Sequence, residues 1–169
     1  VLALPDGVTS DALGPLLRQA KRRVALLAAL ADLGGVWQLE EVTGALTALA
    51  DTAVHAALAA LTADEVRRGK VPGAVPEDAA TAAGISAIAM GKTGAAELNY
   101  SSDIALICLF DDSRYDPGDG QEARASFICV VRRMTGLLSD LTAEGYVFRT
   151  DLRLRPDASV TPVCISMTA

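Results

Sequence analysis

Between Gly91 and Leu109 the chain reads GKTGAAELNYSSDIALICL, and the residue types there suit work on a phosphate. Gly91 and Gly94 let backbone N–H groups approach an anion, Lys92 adds a compact positive charge, and Asp103 brings a carboxylate able to hold a hard cation. The segment Tyr146 to Arg155 carries further chemistry. At strand spacing, Val147, Arg149, Asp151, Arg153 and Arg155 fall on one face and Phe148, Thr150, Leu152 and Leu154 on the other. If the two segments are neighbouring strands, Asp103 and position 105 meet Asp151, Arg153 and Arg155 beside the glycine loop. Carboxylates would hold Mg²⁺, while guanidiniums and loop amides would hold a polyphosphate. Charges of this kind do not face a dry core without partners. A solvated strand face with ordinary salt bridges fits the same spacing, so spacing alone leaves both readings open. The Gly-Lys-x-Gly turn is not the GxxxxGK[ST] of a P-loop.

The elements that must position these residues follow from periodicity. Ile85 to Met90 reads as a short buried strand leading into the glycine turn. Asp103 to Phe110 is apolar on both faces after its first residue, which predicts a central strand. Upstream, residues 1–10 are turn-like, and Pro15 suits the first turn of a helix. Leu16, Leu17, Ala20, Val24, Leu27 and Ala31 recur at helical spacing, with Arg18, Lys21 and Arg22 on the other side. Gly34-Gly35 ends that helix. A second begins near Trp37, with Glu40 and Glu41 placed to favour its dipole and a seam of Val42, Leu46, Leu49, Ala53, Ala57 and Leu61. Residues 64–80 predict a frayed helix and a loop, hence a boundary between a helical arm at 1–75 and a core at 76–169. Phe127, Val131, Met134, Leu138 and Leu141 mark a third long helix. Val160 to Met167 predicts an edge strand because of Pro162.

Composition narrows the class of function. The 169 residues carry a net charge of −6, and only 4% are aromatic. That argues against coating nucleic acid and against base-stacking platforms. The three cysteines, Cys108, Cys129 and Cys164, lie in apolar runs without metal or disulfide spacing, so they read as buried free thiols. His55, the only histidine, has no partner in sequence and reads as a helix residue. No signal segment and no uncharged run of membrane-spanning length is visible, so a cytoplasmic protein without membrane contact is the expectation.

GKTGAAELNYSSDIALI resembles the signature of the glutamine synthetase adenylyltransferase/deadenylylase family, where Gly-Lys-x-Gly leads to Glu-Leu-Asn-x-x-Ser-Asp-Ile-Asp-Leu-Ile. YVFRTDLRLRPD with TPVCIS is similar to its second conserved block, and KRRVALLAALADLGGVWQLEEVTGAL to the segment before its catalytic core. The second block is more like that of the N-terminal, adenylyl-removing half. The resemblance implies an α+β fold of the DNA polymerase β-like nucleotidyltransferase type: a small mixed sheet flanked by helices, with an N-terminal helical arm. It implies a two-Mg²⁺ site, ATP or ADP as nucleotide, and phosphorolysis of adenylyl-tyrosine on glutamine synthetase to give ADP. It also implies regulation through PII-type signal proteins. Carried over by position, Gly91, Lys92 and Gly94 shape the phosphate loop and Ser102 sits beside it. Asp103 and Asp151 become metal ligands and catalytic acids, and Arg153 and Arg155 stabilise phosphate or order the acid.

The chain departs from that pattern where the family has Asp and it has Ala105, so the Asp-x-Asp pair keeps one carboxylate. Such a loss should cost about a hundredfold or more in rate, by analogy with removing one charge-stabilising group. Thr93, Ala95 and Ala96 also differ from the commoner Leu-Gly-Gly-type loop. The reading is therefore an impaired enzyme of the adenylyl-removing type. The ATP-dependent adenylylating half and a non-catalytic nucleotide- or partner-binding module are the alternatives.

Overall fold

A computed structural model describes residues 8–168; the expected turn at Asp6-Gly7 lies outside them. Helix α1 (Ser10–Leu33) and helix α2 (Leu39–Arg67) pack as a hairpin across the Gly34-Gly35 turn. Helix α1 starts five residues before Pro15, earlier than the proline suggests, and buries Leu13, Leu17, Ala20 and Ala28. Its second half differs from the expected seam, because Leu27 is exposed together with Leu26, Leu30 and Leu33. The predicted seam of α2 is buried at every position, and the Gln38 N–H at its start donates to Glu41 at 2.8 Å. By length and composition α2 is apolar enough to cross a membrane, although Asp51 interrupts its apolar run; in this fold half of that stretch is buried, as in the core helix of a globular domain.

The end of α2 is not frayed. Asp64 and Glu65 are buried, and Arg133 bridges them at 2.9 and 3.1 Å. Arg68 adds a bond to Glu65 at 3.0 Å, Arg67 pairs with Asp64, and the Ser10 hydroxyl donates to Asp64 at 2.6 Å. The sequence could not show Ser10 and Arg133 as partners here because they lie 54 to 69 residues away. A 3-10 segment (Pro76–Gly84) then leads into strand β1 (Ile85–Met90), as predicted, and a single helical turn, α3 (Gly91–Gly94). Strand β2 (Ile104–Phe110) follows, then helix α4 (Gly120–Ser139) and two short strands, β3 (Thr150–Asp151) and β4 (Cys164–Ser166).

The architecture is α+β, with helices flanking a small mixed sheet of four strands. Strand β2 is central, as its two-sided apolar pattern required. β1 pairs with it antiparallel along its whole length, and β3 and β4 pair with it parallel. Since β1 fills one edge of β2, β3 and β4 share the other: β3 opposite Ile104–Ala105, β4 opposite Cys108–Phe110. The predicted strand from Tyr146 to Arg155 therefore shrinks to two residues. Val147 and Phe148 are both buried instead of alternating, and the chain turns away after Asp151.

One cluster of buried apolar side chains runs from α1 through α2 and the sheet to α4. At its centre the rings of Phe110 and Phe127 lie 5.3 Å apart, with Tyr115 5.9 Å from Phe127. Cys108 and Cys164 are buried in it, whereas Cys129 is exposed. The inward stripe of α4 takes Phe127, Val130 and Val131, which leaves position 129 facing outward.

Candidate active site

The glycine turn is shaped by local sterics. Gly91 has φ +57°, and a Cβ at Gly94 would stand 2.5 Å from the Ala89 carbonyl oxygen. The N–H groups of Ala95, Ala96 and Glu97 bond back to Gly91, Thr93 and Lys92. The following loop is pinned from α2: Leu98 is fully buried and its N–H donates to the Thr47 hydroxyl at 3.3 Å. Asn99 then accepts from the Ser102 hydroxyl at 2.7 Å, which fixes the turn that delivers Asp103 to β2. Lys92 is exposed and makes no ion pair among the described residues.

Strand β3 is held by the end of α4. The Leu138 carbonyl accepts from both Val147 and Phe148 N–H at 2.9 Å. The Ser139 hydroxyl meets the Phe148 carbonyl and the Thr150 N–H at 3.1 Å each. This sets the ladder in which Ile104 N–H donates to the Arg149 carbonyl at 2.9 Å and Ala105 stands opposite Asp151.

Paired residues of neighbouring strands share a face. Asp103, Ala105, Arg149 and Asp151 therefore lie on one side of the sheet, the side away from buried Ile104 and Leu106. Strand spacing puts the Asp103 and Asp151 backbones on the order of 8 Å apart. This is the side-by-side placement expected from the sequence, and it is an open face. The cavities of about 380 Å³ between α2 and β1 and about 440 Å³ between α1 and α4 are lined by other residues.

Each acid is bonded to its own arginine. Asp103 accepts from Arg149 Nε at 2.6 Å, and Asp151 accepts from Arg153 Nε and Nη2 at 2.9 and 2.8 Å and from the Arg153 N–H at 2.9 Å. The Arg153 fork and N–H hold the Asp151 carboxyl at about 2, below the usual range. Arg153 is raised by Asp151 first and also by Asp103, so both carboxylates act on one guanidinium. Arg155 lies elsewhere: its nitrogens donate to the carbonyls of Leu152, Ala158 and Thr161, closing the loop after β3. The expected strand would have put it on the site face.

Sequence spacing placed Arg149 on the right face but gave it no task. It could not show Thr47, because that hydroxyl reaches the loop across 51 residues. The donor set does not fit a two-cation centre. Two carboxylates are present, the third position is Ala105, and no group of three metal-binding side chains occurs among the described residues.

A family model described as glutamate-ammonia ligase adenylyltransferase matches residues 2–169. A bifunctional glutamine synthetase adenylyltransferase/adenylyl-removing enzyme of Caulobacter vibrioides is 43% identical over 169 residues, all of this chain and 17% of the relative. The enzyme of the same name from Bradyrhizobium diazoefficiens is 47% identical over 169 residues, again 17% of its length. That of Rhizobium meliloti is 41% identical over 167 residues, 99% of this chain and 16% of the relative. The chain thus spans about a sixth of the length of the curated relatives it matches.

Proposed function

The chain belongs to the glutamate-ammonia ligase adenylyltransferase family of nucleotidyltransferases, and from that membership we propose that it is a domain of the adenylyl-removing type. In this reading it acts on adenylyl-tyrosine of glutamine synthetase. A phosphate oxygen attacks the adenylyl phosphorus, the bond from phosphorus to the tyrosine oxygen breaks, the tyrosine regains its proton, and ADP leaves. Regulation through a PII-type signal protein belongs to the same proposal. The observation that carries it is the register: the two sequence blocks stand side by side, with Ala105 opposite Asp151.

In-line displacement at phosphorus needs positioning and charge neutralisation more than covalent chemistry. Lys92 and the N–H groups of the Gly91–Gly94 turn hold phosphate oxygens, and Arg153 supplies a fork for the anion. Ser102, bonded to Asn99, keeps the turn before Asp103 in shape. Asp103 and Asp151 are the remaining acids of the reaction centre, and Ala105 leaves the centre one carboxylate short. A single hard cation with water ligands is the most that pair supports.

Ala105→Asp tests this. With Mg²⁺, phosphate and adenylylated glutamine synthetase, the variant should release ADP about a hundredfold faster than the parent chain. A folded variant with no gain counts against the reading. Pyrophosphate release from ATP and unmodified glutamine synthetase would instead identify the adenylylating half. One observation favours a non-catalytic binding module: both acids are already engaged by guanidiniums. That module would bind ATP, ADP or AMP equally well with and without Mg²⁺ in calorimetric titrations.

A further inference from the structure

Arg155, expected at the site, has its guanidinium committed to three backbone carbonyls. Arg149 stands where a second guanidinium is needed. It shares the face of Asp103 and Asp151, and its side chain is 55% exposed. Nε is bonded to Asp103 and Nη2 to the Ser101 carbonyl at 3.0 Å, while Nη1 has no partner among the described residues. The Tyr146 ring lies 5.9 Å from its central carbon, and Lys21 Nζ lies 4.2 Å from the same ring. Lys21 has no carboxylate within ion-pair distance among the described residues; its Nζ donates to the Tyr146 carbonyl at 3.4 Å and lies 5.2 Å from the Phe148 ring. Burial and the nearby Arg149 charge push its pKa down. Two cations thus share one aromatic ring, and among the described residues Asp103 is the one carboxylate bonded to either of them.

We infer that Arg149 binds the anionic reactant of this site, through phosphate oxygens, and that Lys21 adds the second positive charge there. A planar fork suits a phosphate oxygen pair better than a point charge does. Asp103 and the Ser101 carbonyl hold the fork in place before any anion arrives, so little side-chain freedom is lost on binding. Asp103 also competes with the anion for Nε. The inference rests on the reading that this face handles phosphate.

The test is calorimetric titration of inorganic phosphate and of ADP, each with EDTA present, on variants whose folding is checked by circular dichroism. Arg149→Gln should weaken binding about tenfold or more, Arg149→Lys should recover part of it, and Lys21→Met should weaken it several-fold. A loss confined to ADP, or one shared by both ligands, supports the inference and tells a nucleotide phosphate chain from free phosphate. Equal affinity of parent and Arg149→Gln overturns it. A parent chain that binds neither phosphate nor ADP removes the phosphate reading as well.

Discussion

Ala105 stands directly opposite Asp151 in the parallel ladder of β2 and β3, with Asp103 two residues before it on the same face. A carboxylate at position 105 would sit between two others, so Ala105→Asp should bind a divalent cation more tightly than the parent chain does. Without divalent cation the variant should be the less stable protein, since three like charges crowd one face. With Mg²⁺ or Mn²⁺ at about a hundred times its dissociation constant, it should regain about 2.7 kcal/mol. Thermal melts with and without the cation check this, and the parent chain should show little response.

The Asp151 carboxyl titrates at about 2 because Arg153 holds its charged form. Its folded pKa lies below the 3.8 of an unperturbed aspartate. The stabilisation is therefore present above pH 3.8 and lost as pH falls toward 2. Arg153→Gln should move the titration up toward 3.8, read by carboxyl carbon NMR. An unmoved titration would show that Arg153 is not its cause.

Gly94 is a steric requirement. Gly94→Ala should destabilise by about 1–3 kcal/mol, because the new methyl meets the rigid Ala89 carbonyl and not a flexible side-chain tip. Gly118→Ala, where a Cβ meets nothing within 4 Å, should stay within about 0.5 kcal/mol. Urea denaturation of both variants makes the comparison.

Arg133 answers two buried acids of α2 from α4. Arg133→Met should cost about 2–4 kcal/mol by leaving Asp64 and Glu65 short of a partner. Burial opposes the charge on Asp64, but Ser10 and Arg133 outweigh it and hold the carboxyl below the usual range, so in denaturation curves the loss should shrink as pH falls through that lowered value.

Native alkylation should mark Cys129 alone. Burial pushes the Cys108 and Cys164 thiols up to about 12 and removes them from solvent. Peptide mass spectrometry before and after unfolding checks the order of labelling.

Much of the site could be read along the chain, because turns and strands declare themselves locally. The strand ending at Met90, the glycine turn after it and the central position of β2 follow from spacing, whereas the common face of Asp103 and Asp151 depended on the two strands being neighbours, which spacing left open. What spacing could not supply was competition between distant segments. Arg155 leaves the site face because β3 has only two residues of β2's edge before β4 takes the rest. Asp64 and Glu65 looked like a solvated helix end because Arg133 is invisible from position 65. Leu27 looked like core because the periodic stripe of α1 runs on past the part that α2 covers.

The helix end at Leu138 and Ser139 also decides which side chains the site receives. A two-residue ladder has almost no hold on alignment by itself, and sliding the 147–151 segment by one position would turn Phe148 and Thr150 outward and send Arg149 and Asp151 into the core. With one carbonyl spent on two consecutive amides and one hydroxyl spent on the next turn of the segment, that slide would break several bonds at once. α4 thus acts as the template against which the acidic and basic side chains are counted into place.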